Sequence, residues 1–179
     1  MITIISGTNR KDSRTRILAE FVHSVCQTKA WESQILYLDE VPLSALDNPS
    51  YSTEGQHDLL GEIQDKYLVN TKKWYIISPE YNGSYAGFFK FFLDACSIRS
   101  YKETFKGGKK AALLGVASGR SGNLRGMEHL TGALNYLGIN VMPNHQPISS
   151  IDSLVNKTEI IDEETKKTIK DHIISFLHF

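Results

Sequence analysis

The feature that most constrains this chain is an alternation repeated along its length: short runs of β-branched and apolar residues, each followed by a longer stretch with helical spacing. Ile2-Thr3-Ile4-Ile5 is a brief apolar run that stops at Ser6-Gly7. From about Arg14 to Thr28, Ile17, Leu18, Phe21, Val22 and Val25 recur at helical spacing and leave a polar opposite face. Ile35 to Leu38 reads as a second strand, followed by a loop from Asp39 to Gly55 and a helix from Asp58 to Val69. Trp74 to Ile77 is a third strand, ended by Ser78-Pro79, and Tyr85 to Ile98 is its helix. Ala111 to Ala117 makes a fourth strand, Asn123 to Leu137 a helix stopped by Gly138, and Ile139 to Met142 a short fifth strand. A last helix runs from about Asp162 to Phe179.

Strands alternating with helices imply βαβ units, hence a parallel sheet covered on both faces. Five such units fit an α/β fold of the doubly wound, flavodoxin-like kind: a five-stranded parallel sheet in the order 2-1-3-4-5 with helices on both faces. No internal repeat, low-complexity tract or linker interrupts the pattern, so residues 1–179 are expected to form one domain. In such sheets ligands sit beyond the carboxyl ends of the strands.

Composition excludes several classes of function. Lys plus Arg and Asp plus Glu balance at 20 each, so no bulk field recruits nucleic acid or anionic lipid. No stretch approaches the roughly 18 apolar residues of a membrane span. The chain enters its first strand at Ile2 without a basic and apolar leader, which points to a cytoplasmic protein with reduced thiols. Cys26 and Cys96 lie in helical apolar patterns and read as small core residues. Six histidines show no ligand spacing, so no metal site is expected.

The loops after the first, third and fourth strands carry the unusual residues, and right-handed crossovers bring those strand ends to one edge of the sheet. The first loop, Ser6 to Thr15, ends in no Gly-Lys-Ser/Thr and lacks GxGxxG, so it is neither a P-loop nor a dinucleotide fingerprint. It offers hydroxyls at Ser6, Thr8, Ser13 and Thr15, guanidinium groups at Arg10 and Arg14, and the free N–H groups of a helix start. These are the donors that a terminal phosphate needs where no Mg²⁺ helps. Helix capping by Ser13 or Thr15 accounts for one hydroxyl, not for four beside an arginine. The second loop, Ser78-Pro79-Glu80-Tyr81-Asn82-Gly83-Ser84, pairs a stiff strand exit with an Asn-Gly turn that exposes backbone groups, which a flat heteroaromatic edge can use. The third, Ser118-Gly119-Arg120-Ser121-Gly122, lets main chain lie against a ring. Arg120 suits two roles equally: offsetting charge on a reduced ring or nucleotide phosphate, or decorating a solvated turn.

Ser-Gly-Thr-x-Arg-x-x-Ser-x-Thr after the first strand and Pro79-Glu80-Tyr81-Asn82-Gly83-Ser84 after the third closely resemble the NADPH-dependent FMN reductase family, with its azoreductase, quinone reductase and chromate reductase relatives. The resemblance runs from Ile2 to about Pro143 and takes in Gly87, Lys90, Asp94 and the Gly119-to-Gly122 loop. It implies that Thr8 to Thr15 bind the FMN phosphate, that Pro79 to Gly83 line the isoalloxazine, and that Ser118 to Gly122 close over its other side. Thr8 stands where serine is usual and keeps the hydroxyl. Ala86, Phe91 and Cys96 depart from the family pattern on a helix that commonly faces another subunit.

The implied cofactor is FMN, with NADPH or NADH as co-substrate. Flavin accepts hydride directly and returns it, so no protein group is assigned a catalytic role. Nucleotide and a small acceptor (flavin, quinone, azo compound or metal oxyanion) would use one exposed face in turn, which is ping-pong logic. Glu80, at a strand-to-helix corner, is expected to make structural hydrogen bonds. Phe88, Phe89, Phe91, Phe92 and Leu93 cover nearly every face of their helix, one side for the sheet and another for a second subunit, giving a homodimer or homotetramer. Two other functions fit the fold: a flavodoxin-type electron carrier, which the zero net charge disfavours, and a flavin-free interaction protein, which the full set of phosphate donors disfavours.

Overall fold

The computed structural model describes residues 1–48 and 51–179, so Pro49 and Ser50, within the loop expected from Asp39 to Gly55, lie outside the described residues. Four strands, β1 (Ile2–Ser6), β2 (Ser33–Tyr37), β3 (Lys73–Pro79) and β4 (Lys110–Val116), pair in parallel in the order β2-β1-β3-β4. Ile4 stands between Ile35 and Tyr75, and Trp74 lies opposite Ala111. Because strand side chains alternate, each apolar run feeds two cores. Ile4, Tyr75, Ile77 and Leu114 face one side and pack against α1 (Arg14–Thr28) and α6 (Glu163–His178). Ile5, Trp74, Ile76 and Leu113 face the other, under α2 (Asp58–Ile63), α3 (Gly87–Ala95), α4 (Tyr101–Phe105) and α5 (Leu124–Leu137). This is the doubly wound, flavodoxin-like arrangement. Cys26 and Cys96 are free thiols with no solvent exposure, and burial pushes the Cys96 thiol far up.

The fifth position of the sheet is made in two pieces. β5 (Asn140–Val141) pairs with the start of β4, and β6 (Gln146–Ile148) pairs with its end, at Leu114 to Val116. Between them the chain leaves the edge at Pro143, which has no N–H to give a ladder. Gln146-Pro147-Ile148 has too little apolar alternation to be legible as a strand, and its proline is tolerated because the strand is at the edge. The helix expected from Asp58 to Val69 is present, but its second half, Gln64–Val69, widens to a π-helix. There Gln64 turns inward, its amide donating to the carbonyls of Cys96 and Arg99 at 3.0 and 2.6 Å. Lys109, 1 % exposed, ends the same stretch by donating to the carbonyls of Leu68, Val69 and Thr71, taking up the acceptors that a helix terminus leaves open. The helix expected from Tyr85 to Ile98 is shorter at both ends, and α4 is an addition that no sequence pattern announced.

The α6 face of the core holds one buried titratable pair. His172 donates from Nε2 to the Asn144 carbonyl at 2.8 Å and accepts at Nδ1 from the Tyr75 hydroxyl at 2.7 Å, which requires the neutral ring. Burial lowers the His172 pKa below its ordinary value, and burial raises that of Tyr75. The folded protein therefore resists a proton that the unfolded chain accepts from about pH 6.5 downward. Stability is fully present above that pH and falls as the medium is acidified through the folded-state pKa. Urea midpoints taken between pH 7.5 and 5 will show this decline, and His172→Gln will flatten that part of the profile.

Candidate functional site

β1 ends where Gly7 meets β3. The Gly7 N–H donates to the Ile77 carbonyl at 2.9 Å, and a Cβ at this position would stand 2.8 Å from that oxygen. Glycine is required by the approach, not by its φ. The chain then turns through Thr8 to Ser13 and enters α1. Ser13 occupies the N-cap position with extended backbone, yet its hydroxyl makes no capping bond, and no acidic residue lies in the first turn. Instead Ser13 Oγ meets Thr15 Oγ1 at 2.8 Å, and Thr15 Oγ1 meets the buried Ser6 Oγ at 2.9 Å. When donation runs outward along this row, from Ser6 through Thr15, the Ser13 O–H is left to point at a ligand. The capping alternative is thus absent for Ser13, and among the described residues the first N–H groups of α1 have no side-chain acceptor.

The β3 loop stands beside it. Tyr81 and Ser84 exchange both backbone hydrogen bonds, at 2.8 and 3.1 Å, across Asn82 (φ 52°) and Gly83 (φ 78°). Two consecutive left-handed residues form the tight primed turn that Asn-Gly favours. The turn directs Tyr81 back toward the first loop, where its hydroxyl and that of Thr8 are 2.5 Å apart and the Arg10 guanidinium lies 4.2 Å from its ring centre. Glu80 reaches the other way. Its carboxylate accepts from the Ser121 hydroxyl and, at 3.3 Å, from the Asn123 N–H, so it ties the β3 loop to the β4 loop, as its corner position implied.

Arg10, Ser13, Arg14, Thr15, Pro79, Glu80, Tyr81 and Ser118 converge on the wall of one open cleft of about 290 Å³, which Lys11, Asp12, Val116, Ala117 and Ile151 complete. Ser6 and Thr8 stand behind that wall as buried supports. Asn82 and Gly83 shape the corner next to it, while Gly119 and Arg120 continue from Ser118 along an exposed loop. Arg16, in the same first turn of α1, is already committed: it pairs with Asp39 at 2.8 Å and Glu40 at 2.6 Å and stacks on Tyr37.

Two contributors lay beyond the motif reading. Asn123, buried and left-handed at φ 64°, donates from its amide to the Ser78 and Pro79 carbonyls, both at 3.0 Å. A Cβ on Gly126 would stand 1.9 Å from the Asn123 side-chain oxygen, so the bare glycine makes room for it. An asparagine just after a Gly-rich loop and before a helix was the available signal. The second contributor is the segment from Ile148 to Asp152. It braces the β4 loop through Ala117 N–H to Ile148 O (3.0 Å), Ile151 N–H to Ala117 O (3.1 Å) and Ser150 N–H to Gly119 O (3.0 Å). No local pattern reveals this, because the pairing is made across the sheet edge.

The model of one family, NADPH-dependent FMN reductase, matches residues 1–153 of the chain. The chain belongs to this family. It is a flavoprotein oxidoreductase that uses FMN and takes electrons from NAD(P)H. The chain is similar to a 2-hydroxy-1,4-benzoquinone reductase of Burkholderia sp., 28 % identical over 175 residues that span 94 % of this chain and 90 % of that protein. It is similar also to an NADPH azoreductase of Bacillus sp. (strain OY1-2), 26 % identical over 171 residues, 95 % of this chain and 86 % of the other. Among solved structures, FerB of Paracoccus denitrificans, a flavoenzyme NAD(P)H:(acceptor) oxidoreductase, superposes with a TM-score of 0.81 over 99 % of this chain and 94 % of that one, at 22 % identity. That likeness speaks to the fold.

Asn123 makes a direct test of how the reductase holds its two loops together. Asn123→Gly keeps the left-handed backbone but removes the amide from two carbonyls, at a cost of about 1–3 kcal/mol. A lowered urea midpoint with an unchanged slope is the expected result.

Proposed function

We propose that this reductase holds the FMN phosphate at the uncapped start of α1 and its ring between the β3 and β4 loops, passing hydride from NAD(P)H to a small acceptor. The observation that carries this is the N-terminus of α1: no side chain caps it, no carboxylate sits in its first turn, and Arg10, Ser13 and Arg14 surround it. A dianion there meets backbone N–H groups, the helix dipole and two guanidinium groups at once. Bound FMN supplies a ring that accepts and donates hydride. The protein's part is placement. Tyr81, Asn82 and Gly83 offer an aromatic wall and backbone edge on one side, and Ser118, Gly119 and Arg120 offer main chain on the other. Glu80, through Ser121 and Asn123, fixes the spacing of those two walls.

No side chain here has to carry a proton to the reacting atoms, and donor and acceptor use the same exposed flavin face in turn, a ping-pong order. The acceptor is a flat oxidant such as a flavin, quinone or azo compound, or a metal oxyanion. The names of the quinone reductase and azoreductase relatives support that class. The chain acts as one flavin-binding domain of a cytoplasmic homodimer or homotetramer. Among the described residues no helix is long and apolar enough to cross a membrane. Phe89, Phe92 and Leu93 are buried against the sheet, whereas Phe91 on α3 and Tyr136 on α5 are 40 % and 84 % exposed. Tyr136 lines a groove of about 480 Å³ between the two helices, with Lys90, Leu93 and Asp94 on its α3 side, and a second copy of this chain is its proposed occupant.

Protein loaded with FMN will bleach under NADPH or NADH without oxygen and recover its yellow colour when a quinone is added; a flavin that neither nucleotide bleaches would favour a carrier. Arg10→Ala will weaken FMN affinity by about 1.5–3 kcal/mol, the range for a hydrogen bond to a charged group. Unchanged flavin retention in that variant would refute the phosphate placement. Wild-type protein at micromolar concentration will sediment as a dimer or larger, and Phe91→Asp will shift it toward monomer.

A further inference from the structure

Arg14 lies on the cleft wall, but its direction is set from outside the phosphate loop. Its Nε meets Asp152 Oδ1 at 3.2 Å, across 138 positions of sequence. The bond uses the one guanidinium donor that points back along the side chain. The two terminal nitrogens have no hydrogen-bond partner among the described residues, and Arg14 faces the same cleft as Ser13 and Thr15. The Ser118 hydroxyl and Arg14 lower the Asp152 pKa below the usual carboxylate range, so the group is ionised at neutral pH. Asp152 is itself placed by the braced segment behind the β4 loop, where Ser150 and Ile151 donate to Gly119 and Ala117.

Resting on the phosphate placement proposed above, we infer that Asp152 is a positioning residue. Its carboxylate grips Arg14 by Nε and presents the paired terminal NH2 groups to the FMN phosphate, while the backbone bonds of Ser150 and Ile151 to Gly119 and Ala117 hold the segment that carries it in place. A planar guanidinium held by its inner nitrogen has lost much of its rotational freedom before the anion arrives, so less is lost on binding. A carboxylate this exposed contributes little to stability through the ion pair itself. Its effect is expected in ligand preference and not in folding.

Riboflavin, which has the same ring and no phosphate, separates this role from a structural one. Affinities of FMN and riboflavin for the full chain are read from quenching of flavin fluorescence, in wild type, Asp152→Ala, Arg14→Ala and the double variant. Asp152→Ala is expected to weaken FMN about tenfold, the scale of one oriented charge-assisted hydrogen bond. Riboflavin affinity should stay within about twofold, which also reports that the variant is folded, and on the Arg14→Ala background the Asp152 change should add nothing. Equal losses for both flavins would make Asp152 a brace of the Ser118 loop only, and an unchanged or tighter FMN complex would show that it competes with the phosphate; either result overturns the inference. Wild type showing no preference for FMN over riboflavin would instead bring down the phosphate placement, and this inference with it.

Discussion

The close approach of Gly7 to the Ile77 carbonyl sets the geometry on which the site depends. β1 and β3 are neighbours in the sheet although 70 positions separate Gly7 from Ile77, and a Cβ at residue 7 would force the two strand exits apart. With them in contact, the Thr8 hydroxyl reaches Tyr81, Arg10 lies over the Tyr81 ring, and the start of α1 opens into the space between the loops. The uncapped start of α1 and the Tyr81 corner are thereby fixed at one distance from each other by backbone, which does not relax as side chains do.

A second set of contacts closes the arrangement from the β4 side. Glu80 and Asn123 bind the β3 loop to the β4 loop, and the segment after β6 binds the β4 loop to the rest of the sheet edge. Asp152 then joins that edge to α1. The cleft is ringed by hydrogen bonds between elements distant in sequence, while Arg10 and Arg14 bring cationic groups to its wall. Polar groups that hold each other leave the cleft preorganised, with little left for a ligand to order.

Much of this was legible in the residues. Apolar runs buried on both faces, such as Trp74 to Ile77, announced a parallel sheet, and five βαβ units matched the flavodoxin-like strand order that the structure shows. The hydroxyls and arginines of the first loop stood out as more donors than the capping of one helix start uses, and the structure gathers Arg10, Ser13, Arg14 and Thr15 on one cleft. What was illegible lacked a local signature. β6 has a proline and three residues, α4 has five, and the π-helical widening at Gln64 depends on carbonyls of Cys96 and Arg99 that come together only in the fold. The row Ser6–Thr15–Ser13 is of the same kind: four hydroxyls could be counted, but which of them support and which face the cleft could not.

The sequence by itself determined the doubly wound sheet, the edge at which its loops meet, and the kinds of group those loops carry, since these depend on side-chain periodicity and on chemistry written residue by residue. The tertiary structure alone decided that Glu80 is a tie between loops, that Asn123 supports the ring-side corner, and that Asp152 reaches Arg14. Each is a contact between segments whose separation in the chain is closed only by packing, and a hydrogen bond of about 3 Å leaves no trace in the local pattern of either partner.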